Sequence, residues 1–428
     1  MSSKLERDLG VLVEATVISP ETSKKISDYY LLKKANNPNR LFTIFGVLGA
    51  MLVGLGIILI IAHNWDDFSR PIKTIWAFAP LLVGQAFVGY SLFKKKSTAW
   101  KEASTTFLFF AIGACISLVS QIYNIPGSLD SFLLLWIVLA SPLLYLMRSH
   151  TAALLHLVFS TYYACEVGYF NTETPWMYLV LILWLIPYYL KLVKQPKERP
   201  FSWAFNWLIA LSLVISLGAF LIEGEGLGFL MYLLLFGILY SVGEFPVFSS
   251  QKRQANGYSV IGSIGIIFCL ILVSFKWFWQ DMNHDAYTQH DLSIVWALLL
   301  TGVGLLMYLH AKKRVMKFNL FRYAPLIFAL LFLTHSQGFE LPMILTNVLV
   351  LALGVYAIRN GAKSGHFGTL NYGLAIITTL IACRFFDVNI TFVVRGLIFL
   401  ALGAGFFLAN YLMYKKQQKS ILTKNLEL

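Results

Sequence analysis

At 428 residues, with 58% hydrophobic and only 13% charged side chains and a mean hydropathy of +0.69, the chain has too little polar surface to clothe soluble domains. It reads as an all-α integral membrane protein. The formal charge of +13 would suggest nucleic acid in a soluble protein, but the basic residues here sit in short loops between apolar runs, where they orient helices, so no nucleic acid partner is expected.

Residues 1–40 read as a short cytoplasmic helical hairpin. Leu5, Leu9, Leu12 and Val13 are spaced for one helical face, with Gly10 weakening that helix. Ser19-Pro20-Glu21 signals a second start: Ser19 as N-cap, Pro20 at the first helical position, and Glu21 favourable to the dipole. Charges throughout this stretch leave no apolar core for a cleavable signal peptide, so the uncharged run 41–62 is expected to act as an uncleaved anchor.

From there apolar segments recur about every 25 residues, the length a crossing helix and its loop require. They fall at 41–62, 72–93, 105–123, 131–147, 151–170, 176–190, 202–222, 226–245, 258–277, 293–309, 320–339, 341–358, 369–386 and 391–413. The expectation is a bundle of about fourteen spans over 41–413, followed by a basic cytoplasmic tail, 414–428. Loop charge tests the count. With the N-terminus inside, all of the 34 Lys and Arg fall on the inner side except Arg70, Lys73, Lys276, Arg384 and Arg395. Both termini should therefore be cytoplasmic.

Small residues indicate packing: Ala50 with Gly54, Gly262 with Gly265, and Gly396 with Gly403 would let backbones approach. Trp65, Trp100, Trp176, Trp203, Trp277 and Trp279 lie near span ends, as interfacial anchors do. Cys115, Cys165, Cys269 and Cys383 sit in apolar runs without metal-type spacing and read as small core residues. No cofactor or metal is expected, and HExxH, GxSxG and P-loop signatures are absent from the sequence.

The informative residues are polar ones placed at the outer ends of spans. The first span delivers His63, Asn64, Asp66 and Asp67; the third ends in Gln121, Tyr123 and Asn124; Asp130 and Trp136 open the fourth. Glu166 closes the fifth, which also carries His156; His335, Gln337 and Glu340 finish the eleventh; Arg384, Asp387 and Arg395 bracket the last turn. Ionisable groups at membrane depth are costly unless paired or hydrated, which makes them functional-site candidates. Each has a plainer counterpart. Asp66 and Asp67 can be a solvated helix end, Arg384 and Asp387 a local pair, Gln85, Gln121 and Asn347 interhelical hydrogen-bond glue, and His156 a satisfied core histidine.

Three stretches, GLGIILIIAHNWDD, SLVSQIYNIPGSLDSFLLLW and LLYLMRS, resemble the bacterial polytopic membrane proteins grouped as domain of unknown function 2157. The opening VISPETSKKISDYY and the late RFFDVNITFVVRGLIFLALG are similar to the corresponding regions of those proteins and their relatives. The resemblance is best over the first 150 residues or so and implies a multi-pass bacterial inner-membrane protein of undetermined activity. It falls on Asn64, Trp65, Asp66, Gln121, Tyr123, Trp136, Arg148, Arg384, Asp387, Arg395 and Gly396.

Three functions remain open. The first is a transporter or flippase with an outward-facing polar cavity, using Asn64, Asp66, Gln121, Tyr123, Glu166, Arg384, Asp387 and Arg395 to hold an anionic or amphipathic substrate. The second is a membrane-embedded transferase acting on a lipid-linked substrate, with Asp66 or Asp67 as base and an arginine on phosphate. The third is a non-catalytic assembly subunit. Short outer loops favour a substrate that enters within the bundle, and membrane lipids are partners in every case.

Overall fold

The computed structural model describes residues 3–35, 65–195, 199–222, 225–249, 253–281, 288–312, 318–334, 338, 340–387 and scattered positions beyond 391. The expected spans 41–62 and 391–413, or most of the latter, lie outside the described residues. Two compact units are present, Met1–Trp76 and Ala77–Leu428.

In the first unit, α1 (Ser3–Glu14) and α2 (Pro20–Ala35) are joined through Thr16, whose φ is +54°. Leu9 is buried, and the Ser19 hydroxyl accepts the Thr22 amide at 3.2 Å, the N-cap that the Ser-Pro-Glu sequence encodes. After the polar turn at Trp65–Ser69 comes the start of α3 (Arg70–Phe93), a helix whose residues from Ala77 onward belong to the second unit; the Lys73 ammonium sits 5.8 Å from the Trp65 ring.

The second unit is helical throughout its described residues. In chain order it contains α4 (Thr98–Tyr123), α5 (Leu129–Ala140), α6 (Pro142–Leu146), α7 (His150–Cys165), α8 (Trp176–Lys194) and α9 (Arg199–Leu217). Then come α10 (Glu225–Gly243), α11 (Pro246–Ser249), α12 (Gly257–Leu272), α13 (Lys276–Asp281), α14 (Gln289–Ala311), α15 (Leu320–Leu333), α16 (Glu340–Ser364) and α17 (Phe367–Asp387). Nine of the described helices are long and apolar enough to cross a bilayer: α3, α4, α5 with α6, α8, α9, α10, α14, α16 and α17. The α12 and α15 helices are apolar but shorter. Every apolar run expected between residues 72 and 386 corresponds to a described helix, while the full count of fourteen is not reached within these residues.

Lipid tails are as apolar as leucine, so burying apolar surface does little to hold such helices together; close backbone approach and interhelical hydrogen bonds do that work. Two helix pairs show it. Where α10 meets α12, a Cβ added at Gly262 would lie 2.6 Å from the Tyr240 nitrogen and one at Gly243 2.6 Å from the Ser259 nitrogen. Where α16 meets α17, a Cβ at Gly373 would lie 2.6 Å from the Ile358 nitrogen. Gly265, paired with Gly262 in the sequence pattern, faces the Phe236 ring. The apolar core runs from Leu133 to Leu380 and includes residues of both pairs.

Other ends are closed by side chains. Ser149 caps α7 by accepting the Ala152 amide at 3.1 Å, and Glu102 from α4 reaches the same terminus. Its carboxylate accepts the amides of His150 and Thr151, each at 2.9 Å, and the Ser149 hydroxyl. A carboxylate on three donors at a helix N-terminus complements both the orphan amides and the dipole. His156 is buried, with Nε2 2.9 Å from the Leu181 carbonyl, a satisfied core histidine. Trp279 departs from its expected interfacial role. It is 1% exposed and donates its indole N–H to Val273 at 2.7 Å, because α13 turns inward directly after α12.

Candidate functional site

The outer-end residues singled out by sequence have these surroundings. Asp66 and Asp67 are exposed in the turn before α3. Gln121 lines a cavity of about 850 Å³ between the end of α4 and the start of α5, among Ser117, Ser120, Ser128 and Ser131. Tyr123 is exposed, and Glu166 is half-buried at the start of a π-helical turn, Glu166–Phe170, that ends α7. Arg384 lies along the last turns of α17, with Nη1 donating to the Ser274 carbonyl at 3.1 Å and Nη2 to its hydroxyl at 3.2 Å. Its guanidinium carbon is 4.5 Å from the Phe275 ring centre, and Asn347 of α16 donates to the same Ser274 carbonyl at 3.0 Å. Asn64, Arg395 and the side chain of Asp387 lie outside the described residues. Of the candidates, Gln121 alone is among the described residues lining the α4–α5 cavity.

A second cavity, of about 780 Å³, sits at the opposite end of the bundle, where the Lys- and Arg-rich loops are. It lies between the two glycine-packed helix pairs. One wall is Tyr240, Glu244, Asn256, Ser259 and Ser263 from α10 and α12; the other is Tyr356, Asn360, His366 and Tyr372 from α16 and α17; Phe321 of α15 stands between them.

Local sequence explains each part. Pro246 limits α10, leaving Glu244 just past its last turn. Asn256 caps α12, accepting the Ser259 amide at 3.1 Å and donating to the Gly243 carbonyl at 2.8 Å, so it closes one helix and opens the next. Asn319 caps α15 by accepting the Phe321 amide at 3.2 Å. At the end of α16, Gly365 has φ +71° and the His366 amide donates to Gly361 at 3.0 Å. That left-handed glycine turns His366 to the cavity rim.

Glu244 is the one carboxylate among the described lining residues. Its Oε2 accepts Arg322 Nε at 2.7 Å, and its Oε1 accepts Asn319 Nδ2 at 2.7 Å; the same Nδ2 donates to the Tyr240 hydroxyl at 2.7 Å. The Arg322 side chain is 2% exposed and that of Glu244 19%, so the cation is buried behind the anion it balances. Around them Tyr240 and Phe321 stack at 5.8 Å and 27°, and Phe321 and Tyr372 at 6.1 Å and 26°. The Tyr356 hydroxyl donates to Phe318 at 2.8 Å and that of Tyr372 to Ser263 at 3.0 Å. The result is a neutral, aromatic-walled, hydroxyl-rich chamber.

Sequence reasoning missed this site because Arg322 falls in a run of inner-side basic residues and reads as one more orienting charge. The available signal was Glu244, an acidic residue closing an apolar span without a loop around it. A further cluster was also missed at the other end of the second unit. His290 Nε2 is 3.0 Å from the Thr174 hydroxyl and Nδ1 3.5 Å from Asp291, whose carboxylate accepts the Ile222 amide at 3.1 Å. Its signal was the capping box Thr288-x-x-Asp291, with the Asp291 amide donating to Thr288 at 3.1 Å. Among the described residues no group of three His, Cys, Asp or Glu is arranged to hold a metal ion.

No curated protein and no solved structure is detectably similar to the chain. Residues 11–153, which include Asn64, Asp66, Gln121, Tyr123, Trp136 and Arg148, match the family described as "Predicted membrane protein (DUF2157)", a family of undetermined activity and the one that the sequence resembles.

Proposed function

We propose that this multi-pass membrane protein is a transporter of the bacterial inner membrane, with both termini in the cytoplasm, that binds a small neutral or zwitterionic solute beside Glu244. The observation that carries the reading is the cavity itself. Its volume of about 780 Å³ falls in the range of small-molecule sites, and its polar groups converge between aromatic faces. Because Arg322 balances Glu244, a fully charged solute would bring an uncompensated charge into the chamber, whereas a ring bearing hydroxyl or amide groups finds stacking surfaces and partners. The two glycine-packed pairs are tight within themselves and meet at the cavity, through α15 and directly where Tyr372 of α17 donates to Ser263 of α12, so that a shift of one pair against the other would reshape the chamber. The outer-end candidates of the second unit, Gln121, Tyr123, Glu166 and Arg384, would then belong to the exit on the other face.

The test is ligand-induced thermal stabilisation of the purified full-length protein, screened over monosaccharides, amino acids and nucleosides. Solutes that stabilise it are then followed by uptake into proteoliposomes. At least one class should stabilise the wild type and be taken up, with both responses lost in Tyr372→Ala. A wild type indifferent to every class, or a Tyr372→Ala variant that responds in full, would remove the basis for the proposal.

A further inference from the structure

Near the same end of the bundle, a separate groove of about 470 Å³ runs between α8, α9 and α10. Ile186 and Leu190 form one side, Leu213 the floor, Ile238 and Val242 the other side, and Phe248 of α11 closes its end. Tyr189, within the groove, gives its hydroxyl proton to Asn206. Little in these walls can therefore satisfy a polar solute, and an apolar chain is the occupant that they fit. The mouth is different. Lys194 lines it, Lys191 stands one turn earlier on α8, and Arg199 opens α9; all three are exposed, and no carboxylate is present among the described lining residues.

We infer that this groove is a binding site for one anionic phospholipid, with an acyl chain between α8 and α10 and the phosphate at Lys194 and Lys191. The charge pattern selects the headgroup class. A choline or ethanolamine group would add a cation beside Lys194 and Lys191, while among the described lining residues an anionic headgroup meets Lys194 and no carboxylate, and basic pockets between spans on the positively charged face are where such lipids bind. The two lysines also occupy the last turn of a helix, where the dipole favours them and keeps their heads at the membrane surface. This inference stands independently of the solute cavity at Glu244.

The test titrates full-length protein, purified in neutral detergent, with phosphatidylglycerol or phosphatidylcholine and counts bound lipid by native mass spectrometry. One phosphatidylglycerol should bind saturably, with a preference over phosphatidylcholine of about twenty-five-fold, from about fivefold for each of two lysines. The Lys191→Gln/Lys194→Gln variant, altered only at exposed positions, should lose most of that preference. Leu213→Trp, which fills the floor, should lose binding of both lipids, and its melting temperature checks that it folds. Unsaturable adducts, equal binding of the two lipids, or an unchanged preference in the double lysine variant would each overturn the assignment. Displacement of the bound lipid by inorganic phosphate alone would overturn the role of the acyl groove.

Discussion

Replacing Glu244 by glutamine keeps the shape of the side chain and an acceptor for Asn319 but removes the charge opposite Arg322, whose side chain is 2% exposed. Breaking a buried ion pair from one side costs about 3–5 kcal/mol, because the remaining charge is stranded. Here the surviving hydrogen bond and the 19% exposure of the Glu244 side chain, which admits water, argue for the lower end, about 3 kcal/mol. Arg322→Met leaves the carboxylate facing the cavity, where it hydrates, and should cost about 1–2 kcal/mol. The double variant strands neither charge and should lie within about 1 kcal/mol of wild type, since an ion pair exchanged for neutral groups is close to break-even. The assay is reversible unfolding in mixed micelles for all four proteins, read as a double-mutant cycle. A coupling energy above about 1.5 kcal/mol is expected. If the two single effects simply add to within about 0.5 kcal/mol, the pair is not a mutually dependent unit and the neutral-chamber argument fails.

Other perturbations probe the same structure. Glu102→Ala should cost about 1–2 kcal/mol and raise hydrogen exchange at the His150 and Thr151 amides; unchanged protection there would mean that Ser149 caps α7 unaided. Trp279→Ala, emptying a core position, should cost about 3–5 kcal/mol, whereas Trp277→Ala at an exposed neighbour should change little, and equal effects would contradict the inward turn of α13. Gly373→Val drives a side chain into the Ile358 backbone and should abolish stable α16–α17 pairing, while Gly304→Val, where nothing lies within 4 Å of the added Cβ, should be well tolerated. Cysteine cross-linking of α16 to α17 in both backgrounds distinguishes these outcomes.

The helical class and the positions of the described spans were legible because hydrophobic length and loop charge are strong one-dimensional signals. The runs ending at Phe93 and Tyr123 correspond to helices that end there, and the run ending at Leu190 to a helix that continues to Lys194. The Ser19 cap and the Gly262–Gly265 contact face were legible for the same reason: each depends on spacing within one helix. The cavity was not. Glu244 and Arg322 are 78 residues apart, and only packing of α10 against α15 makes them partners. Trp279 was misplaced because a position near a span end does not distinguish a chain continuing to the interface from one folding back. Arg384 stood out as a cation on the wrong side, but its attachment to Ser274, 110 residues earlier, could not be read from its own neighbourhood.

The carboxylate of Glu102 completes a helix whose first residue comes 48 positions later in the chain. Before α4 is seated beside them, the amides of His150 and Thr151 have only water to meet. A chain with α4 inserted upside down would present Glu102 at the opposite end of the bundle and leave this terminus without its carboxylate. A single acidic side chain thus ties the favourable docking of α7 to the correct orientation of α4.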